Sequence, residues 1–338
     1  MSNKISVITV VYNDVKHIRE TMESFFSQTW EEKEYIVIDG GSTDGTAEVI
    51  KEYADRLAYW CSEKDAGVYD AMNKGVQHAS GDWVNILNCG DYYFSDHSLA
   101  DAIRNCDAGN ADIIYGDSMK LRQGHVFPFP SSSNVAGLEY RPVYRHGSSL
   151  VRTQIHKENL FALDKKKDYG FALDWYLIYT LYKKKYRFVR TDAIIEVFDE
   201  EGMSNHPVRG EYLNYKISIS DGFRMGKLVS FLTKVMKIWL VGSPVYSGMR
   251  KFVLGPLTNS ILAQPPVVCA QVCHEKARHE DRQRHLCGQP LLYNEPQQTV
   301  YRKGFTYKPH GDTRCPWRTD HRRQRVGVAW SDDYDRQP

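Results

Sequence analysis

Residues 34–57 read EYIVIDGGSTDGTAEVIKEYADRL, and the fold follows from how this stretch changes character. The apolar run Tyr35 to Ile38 stops at Asp39 and two glycines, as a strand covered on both faces would. Ser42, Thr43 and Asp44 then offer side-chain oxygens to the free N–H groups of a helix start. The same change recurs on either side. ISVITVVY (5–12) is a β-branched run followed by Asn13-Asp14 and a helical pattern of Ile18, Met22, Phe25 and Phe26. Residues 57–62 form a short strand, VYDAMNKGVQHA (68–79) has helical spacing, and GDWVNILNCGD (81–91) is a strand ending in a turn. LADAIRNC (99–106) is a helix and ADIIYGD (111–117) a strand. Strands alternating with helices predict an α/β fold, an open and mostly parallel sheet flanked by helices.

The pattern is mixed from 118 to 200. KLRQGHVFPFP (120–130) reads as strand and loop, YRHGSSLVR (144–152) as a strand and YGFALDWYLIYTLYKK (169–184) as an aromatic-rich helix. YRFVRTDAIIEVFD (186–199) reads as two short strands. Without a composition break, this part is expected to complete the same sheet, giving one domain over residues 1–220. From Gly222 to His274 there is no Asp or Glu, while Arg224, Lys227, Lys234, Lys237, Arg250 and Lys251 alternate with apolar and aromatic residues. Residues 221–262 are therefore expected to form a basic amphipathic segment suited to an anionic membrane surface, the alternative being a helix packed on the core. Residues 263–338 are irregular and expected to be poorly ordered, and Cys269, Cys273, Cys287 and Cys315 lack the paired spacing of a zinc site.

The totals narrow the function less. A net charge of +2 names no partner and gives no reason to expect nucleic acid. Seven cysteines in 338 residues do not make a disulfide framework, and Cys61, Cys89 and Cys106 read as reduced structural residues of a cytoplasmic protein. The apolar stretch after Lys4 runs straight into Asn13-Asp14, so it reads as a first strand rather than a signal peptide. No apolar run is long enough for a spanning helix.

Acids stand at or just after strand ends: Asp14, Asp39, Asp91 and Asp117. In open α/β sheets ligands bind beyond the carboxyl ends of strands, although one such acid alone is an ordinary turn residue. No G-x-G-x-x-G follows the first strand and no G-x-x-x-x-G-K-[ST] occurs, which weakens dinucleotide and P-loop readings. A nucleotide site without a glycine cradle can neutralise a diphosphate with a divalent cation. An Asp presented from a tight turn, as Asp91 is, suits Mg2+ or Mn2+.

The chain resembles the inverting family 2 glycosyltransferases of GT-A fold that build bacterial surface polysaccharides. The stretches that carry the resemblance are ITVVYND, YIVIDGGSTDGT, SEKDAGVYDAMNKG, GDWVNILNCGD and ALDWYL, in family order from residue 5 to about 205. The resemblance implies a nucleotide-diphosphate sugar donor and a glycan or lipid-diphosphate-linked acceptor. It implies that Val11, Tyr12 and Asn13 border the base and ribose, and that Asp39 accepts a hydrogen bond from the base. Asp65 and the stretch Asp70 to Lys74 would line the donor cleft, with Asn88 in the turn beside it. Asp91 would be the surviving acid of the metal motif and Asp174 the catalytic base, for which an ordinary aspartate pKa would suffice. His146 and His206 are candidates for the diphosphate and the metal. Each has a structural alternative: a turn for Asp39, a surface charge for Lys74, a cap or buried ion pair for Asp174, and plain hydrogen bonding for the histidines. Cys89-Gly90 stand where relatives often carry acids, which keeps open a non-catalytic nucleotide-sugar or glycan-binding protein. A metal-dependent nucleotidyltransferase ranks lower, because only Lys16 and Arg19 follow the first strand. The basic segment would hold the protein at the inner face of the cell membrane.

Overall fold

The computed structural model describes residues 3–199 and 207–242. The strands are β1 (Ile5–Val11), β2 (Lys33–Asp39), β3 (Tyr59–Ser62), β4 (Trp83–Ile86), β5 (Tyr92–Tyr93), β6 (Ile113–Arg122), β7 (His125–Phe129), β8 (Ser149–Arg152) and β9 (Phe188–Asp199). The helices are α1 (Ile18–Phe26), α2 (Thr46–Lys51), α3 (Val68–His78), α4 (Ser98–Arg104), α5 (Thr153–Glu158), α6 (Lys166–Tyr169), α7 (Leu173–Lys183), α8 (Pro207–Ser218) and α9 (Met225–Gly242). The strands form one sheet in the order β3-β2-β1-β4-β8-β6-β9-β5, with β7 hairpinned onto β6.

The α/β sheet read from the sequence is present, and it is mixed. The β3-β2-β1-β4 part is wholly parallel, β8 enters antiparallel to both neighbours, and β9 runs parallel to β6. Strand periodicity explains why β1, β2 and β4 are apolar without a break. Ile5, Val7, Tyr35, Val37 and Trp83 face one core with α1 and α4, whereas Ile8, Val10, Ile36, Ile38, Val84 and Ile86 face the other with α3 and α7.

The second half departs from its reading in one element. Residues 188–199 form a single strand rather than two short ones. Thr191 and Asp192, the polar pair that reads as a break, are absorbed where the β6–β9 register shifts near Asp117. The 120–130 stretch is the end of β6, a turn at Gln123-Gly124 with φ of 50° and 77°, and then β7.

Of the 221–262 segment, residues up to 242 are described, and no described helix is long and apolar enough to cross a membrane. Helix α9 has no acids of its own and borrows them. Lys227 is buried and pairs with Glu139 at 2.8 Å and Asp221 at 2.9 Å, and Lys234 pairs with Glu211 at 3.4 Å. The rest of this segment, the 263–338 tail and its cysteines lie outside the described residues.

Helix α3 lies close on β1 because residue 75 has no side chain: a Cβ there would come 2.4 Å from Ile8 Cγ2. Alanine is favoured over glycine inside a helix by about 1 kcal/mol, but overpacking a rigid core costs about 1–3 kcal/mol. The near atom is a buried β-branched methyl that has no room to turn, so the clash dominates. Gly75→Ala should lower unfolding stability by about 1–2 kcal/mol in urea titration. A gain in stability would show that α3 is free to lift.

Candidate active site

The parallel strands end along one edge. Asp39, at the end of β2, is fully buried, and its carboxylate accepts from Ser42 N–H at 3.0 Å and from the Ser42 and Ser62 hydroxyls. A carboxylate offers about four acceptor positions, so one remains for a further donor. Asn13 adopts a left-handed φ of 50°, donates from its N–H to Ser42 Oγ at 2.7 Å, and accepts from Thr43 N–H at 2.9 Å. Val11 is buried and accepts Gly40 N–H, while Tyr12 is more than half exposed and lies over Gly40. Asp65 closes the same corner: a Cβ at Gly40 would meet its Oδ2 at 2.8 Å, and its Oδ1 accepts Gly67 N–H at 2.7 Å. Tyr12, Asn13, Asp39 and Asp65 are thus brought together. Asp70 accepts Ala66 N–H at 3.0 Å, and Lys74 pairs with Glu63 at 2.8 Å and Asp70 at 3.7 Å.

Beyond β4 the chain makes a turn from Asn88 to Asp91, closed by Asp91 N–H to Asn88 O at 3.0 Å with Gly90 at φ 92°. Asn88 Oδ1 is buried without a partner among the described residues. The Cys89 thiol lies 3.5 Å from Asp14 Oδ2, and burial pushes its pKa up, so it stays a thiol. Asp91 is buried, with Arg145 Nη2 3.6 Å from its Oδ2. Burial first, and then the charge of Glu196, push the Asp91 carboxyl well above the usual range; Arg145 and the Asp199 N–H pull it back.

Asp174 stands in the first turn of α7 and accepts Trp175 N–H at 2.8 Å. Tyr69 donates to Phe171 O at 2.6 Å and reaches Asp174 at 3.5 Å. Burial raises the Asp174 pKa above that of an ordinary aspartate, beyond what a base in this reaction needs. Arg145 acts electrostatically on both acids. Its Nε donates to Glu196 Oε1 at 2.9 Å, its guanidinium stacks 3.6 Å over Phe198, and it is within electrostatic reach of Glu196, Asp91 and Asp174. Glu196 is fully buried and also accepts from Ser118 Oγ at 3.1 Å.

His146 follows Arg145 on a short 3-10 turn, with its ring 5.4 Å from Phe161 and 6.4 Å from His156. Burial, then His156 and Arg145, push its pKa down to about 3, which keeps it neutral. His206 lies outside the described residues. Asp14 pairs with His17 at 2.6 Å, and Asp117 is spent on Arg190 at 3.0 Å. Sequence reasoning missed Arg145, Glu196 and Tyr69. Glu196 did leave a signal, being the one acid inside the run Ala193 to Phe198.

A divalent cation finds limited purchase here. Among the described residues no three His, Cys, Asp or Glu side chains gather to hold one. Cys89 is kept protonated, so Asp91 fits as a single protein carboxylate. Further oxygens would have to come from a bound diphosphate.

Residues 6–162 match the family described as glycosyl transferase family 2. An uncharacterized glycosyltransferase of Mycobacterium tuberculosis is 40% identical over 156 residues, 44% of this chain and 60% of that protein. Glycosyltransferase GlyA of Streptococcus pneumoniae is 26% identical over 182 residues, 53% of this chain and 25% of that protein. The chain thus spans 60% of the length of the mycobacterial relative and a quarter of the pneumococcal one. Among solved structures, S. aureus TarS 1–349 in complex with UDP-GlcNAc superposes with a TM-score of 0.52 at 20% identity, over 83% of this chain and 89% of that one. Mannosyltransferase PcManGT from Pyrobaculum calidifontis, in complex with GDP-Man and Mn2+, gives 0.51 at 16% identity, over 82% and 87%. At these identities the likeness to the two structures is one of fold.

The Asp91 environment predicts a pH effect. In the unfolded chain Asp91 ionises near about 4, whereas in the fold it holds its proton to higher pH, so the native state binds more protons in between. Stability from this group is therefore present at low pH and lost as pH rises through the folded pKa. Asp91→Asn removes the titration, so the Tm difference, variant minus wild type, should grow between pH 5 and pH 9 in thermal melts. A flat difference would mean that Arg145 fully offsets the burial.

Proposed function

Since residues 6–162 match the family described as glycosyl transferase family 2, we propose that the chain moves a sugar from a nucleotide-diphosphate donor to a hydroxyl of a glycan or lipid-linked acceptor, with inversion. The observation that carries this reading is that Asp91, just beyond β4, and Asp174, far from it in sequence, both lie within electrostatic reach of Arg145. Asp39 lies two strands from β4, roughly 10 Å, with Tyr12, Asn13 and Asp65 around it. The base and ribose would lie at this end and the diphosphate at the other. A uridine donor is favoured by the family resemblance, and TarS, of the same fold, carries UDP-GlcNAc in its complex.

Asp174 would take the proton from the acceptor hydroxyl as its oxygen bonds to the anomeric carbon and the bond to the diphosphate breaks. A base raised by burial holds the abstracted proton more firmly, at the expense of activity at low pH. The acidic limb of the rate profile should thus lie above the ordinary aspartate range. Mg2+ or Mn2+, held by Asp91 and the diphosphate, would supply neutralisation of the charge on the leaving group. Cys89 in place of an acid favours a second reading, a protein that binds nucleotide sugars without turnover.

The acceptor side of the proposal is a membrane surface at the inner, cytoplasmic face. On α9, Met225, Val229, Leu232, Met236 and Trp239 recur at spacings of four and three and are between 51% and 70% exposed. This is one apolar stripe on an acid-free helix, with Lys237 exposed beside it. With Lys227 buried and Lys234 paired, the apolar stripe rather than the basic count supports the reading. The double variant Met236→Glu, Trp239→Glu should lose at least about tenfold in sedimentation with phosphatidylglycerol vesicles, as burial of two large side chains implies. Undiminished binding would remove the membrane from the proposal.

Screening nucleotide sugars for turnover, with and without Mn2+, tests the main reading. Asp174→Asn should lower turnover by about 10²–10⁴-fold, the usual range for loss of a general base. Asp91→Ala should lower it and reduce the response to Mn2+. Turnover that survived both substitutions would overturn the mechanism, and donor binding without turnover would favour the non-catalytic reading.

A further inference from the structure

We propose that Tyr69 is a positioning residue for the Asp174 base: its hydroxyl, held on Phe171 O while the carboxyl keeps its proton, turns its O–H to Asp174 Oδ1 when that proton is lost. This rests on the reading of Asp174 as the base given above. The hydroxyl lies 2.6 Å from Phe171 O and 3.5 Å from Asp174 Oδ1, so one O–H faces two acceptors at the start of α7. A phenol has a single proton to donate, and the nearer acceptor takes it while Asp174 is neutral. Hydrogen bonds to charged acceptors are the stronger ones, so an ionised Asp174 draws the O–H across by rotation about the C–O bond. Burial, and then the charge of Asp174, raise the Tyr69 pKa, so the phenol remains a donor.

The ring that carries this hydroxyl has little freedom. Tyr69 is buried, and its ring centre lies 5.1 Å from that of Phe161. Phe161 is itself tied to α3: its O accepts from Asn73 Nδ2 at 3.0 Å and its N–H donates to Asn73 Oδ1 at 2.8 Å. Tyr69 and Asn73 stand one turn apart, so the helix that presents the phenol also fastens the ring that braces it. Asp174 Oδ1 takes Trp175 N–H at 2.8 Å from the other side. Among the described residues Tyr69 and Trp175 are the hydrogen-bond donors to this carboxyl, and both meet Oδ1, which leaves Oδ2 to the acceptor hydroxyl. Arg145 acts on the carboxyl electrostatically, and His146, kept neutral by burial, packs against Phe161.

Thermal melts of the full chain, run as a double-variant cycle, test the exchange without need of activity. Tyr69→Phe removes one buried oxygen and keeps the ring against Phe161. At pH 4, where residue 174 is neutral in both backgrounds, it should lower Tm about equally in wild type and in Asp174→Asn. At pH 9 the loss should be about 2–4 °C larger in wild type, as one charge-assisted hydrogen bond implies for a domain of this size. An equal loss at both pH values in both backgrounds would overturn the proposal and leave the phenol a plain brace on Phe171. The rate profile gives a second readout. In Tyr69→Phe the acidic limb of kcat should move up by about half to one pH unit, because the ionised base has lost a donor, while the donor KM stays within about twofold. A lower kcat with the limb unmoved would likewise overturn it. If the melts couple in a protein that turns over no nucleotide sugar, the catalytic reading fails and the exchange stands. Turnover with uncoupled melts and an unmoved limb reverses that outcome.

Discussion

A carboxylate with no exposed surface must be matched inside the protein, and at Glu196 that obligation organises the second half of the fold. Burying an unpaired charge costs several kcal/mol even after relaxation, and breaking a buried pair costs about 3–5 kcal/mol. The chain answers at Oε1 with Arg145, 51 residues earlier, and with the Ser118 hydroxyl, while Oε2 has no hydrogen-bond partner among the described residues. The rest of the neighbourhood follows from these partners. Residue 147 has to be glycine for the turn to pass beside the carboxylate. Asn85 uses both its amide donors on that turn and accepts from Tyr93 OH at 2.6 Å, fastening β4 and β5 to it. β5 pairs with β9 at Tyr92 and Tyr93, which brings the turn bearing Asp91 against the end of β9.

The parallel half is simpler in its physics. Each strand is apolar on both sides because helices cover both faces, and polarity begins where the strands stop. Asp39 and the 88–91 turn sit at that boundary, which is why acids there can be buried yet close to the cleft. Asp91 there, and Asp174 at the start of α7, both have raised pKa values, burial being the larger cause in each.

This division also sets what could be read from the chain. Strands and helices of the first half were legible because each announces itself through local periodicity, and Asp39, Asp91 and Asp174 stood out as acids against apolar runs. Arg145 was not legible, since YRHGS drew attention to His146, and its role depends on partners at 91, 174 and 196. Likewise β9 reads as two strands until the bulge opposite Asp117 is seen, and β5 is too short to show a period. Lys227 reads as a surface charge on an acid-free segment. Its acids come from residues 139 and 221, both outside α9, so the composition of the helix could not reveal its burial.

Tyr69 spans two parts of the site. Its backbone belongs to the first turn of α3, next to the Asp65–Gly67 corner, while its hydroxyl is bonded to Phe171 O just before α7 and lies beside Asp174. A ligand that shifted the start of α3 would carry this phenol with it and change its contact with the Asp174 carboxyl. Any such influence has to run both ways, because thermodynamic coupling between two sites is reciprocal. Whatever settled against Asp174 and moved that phenol would be felt, with equal free energy, by whatever bound at the start of α3.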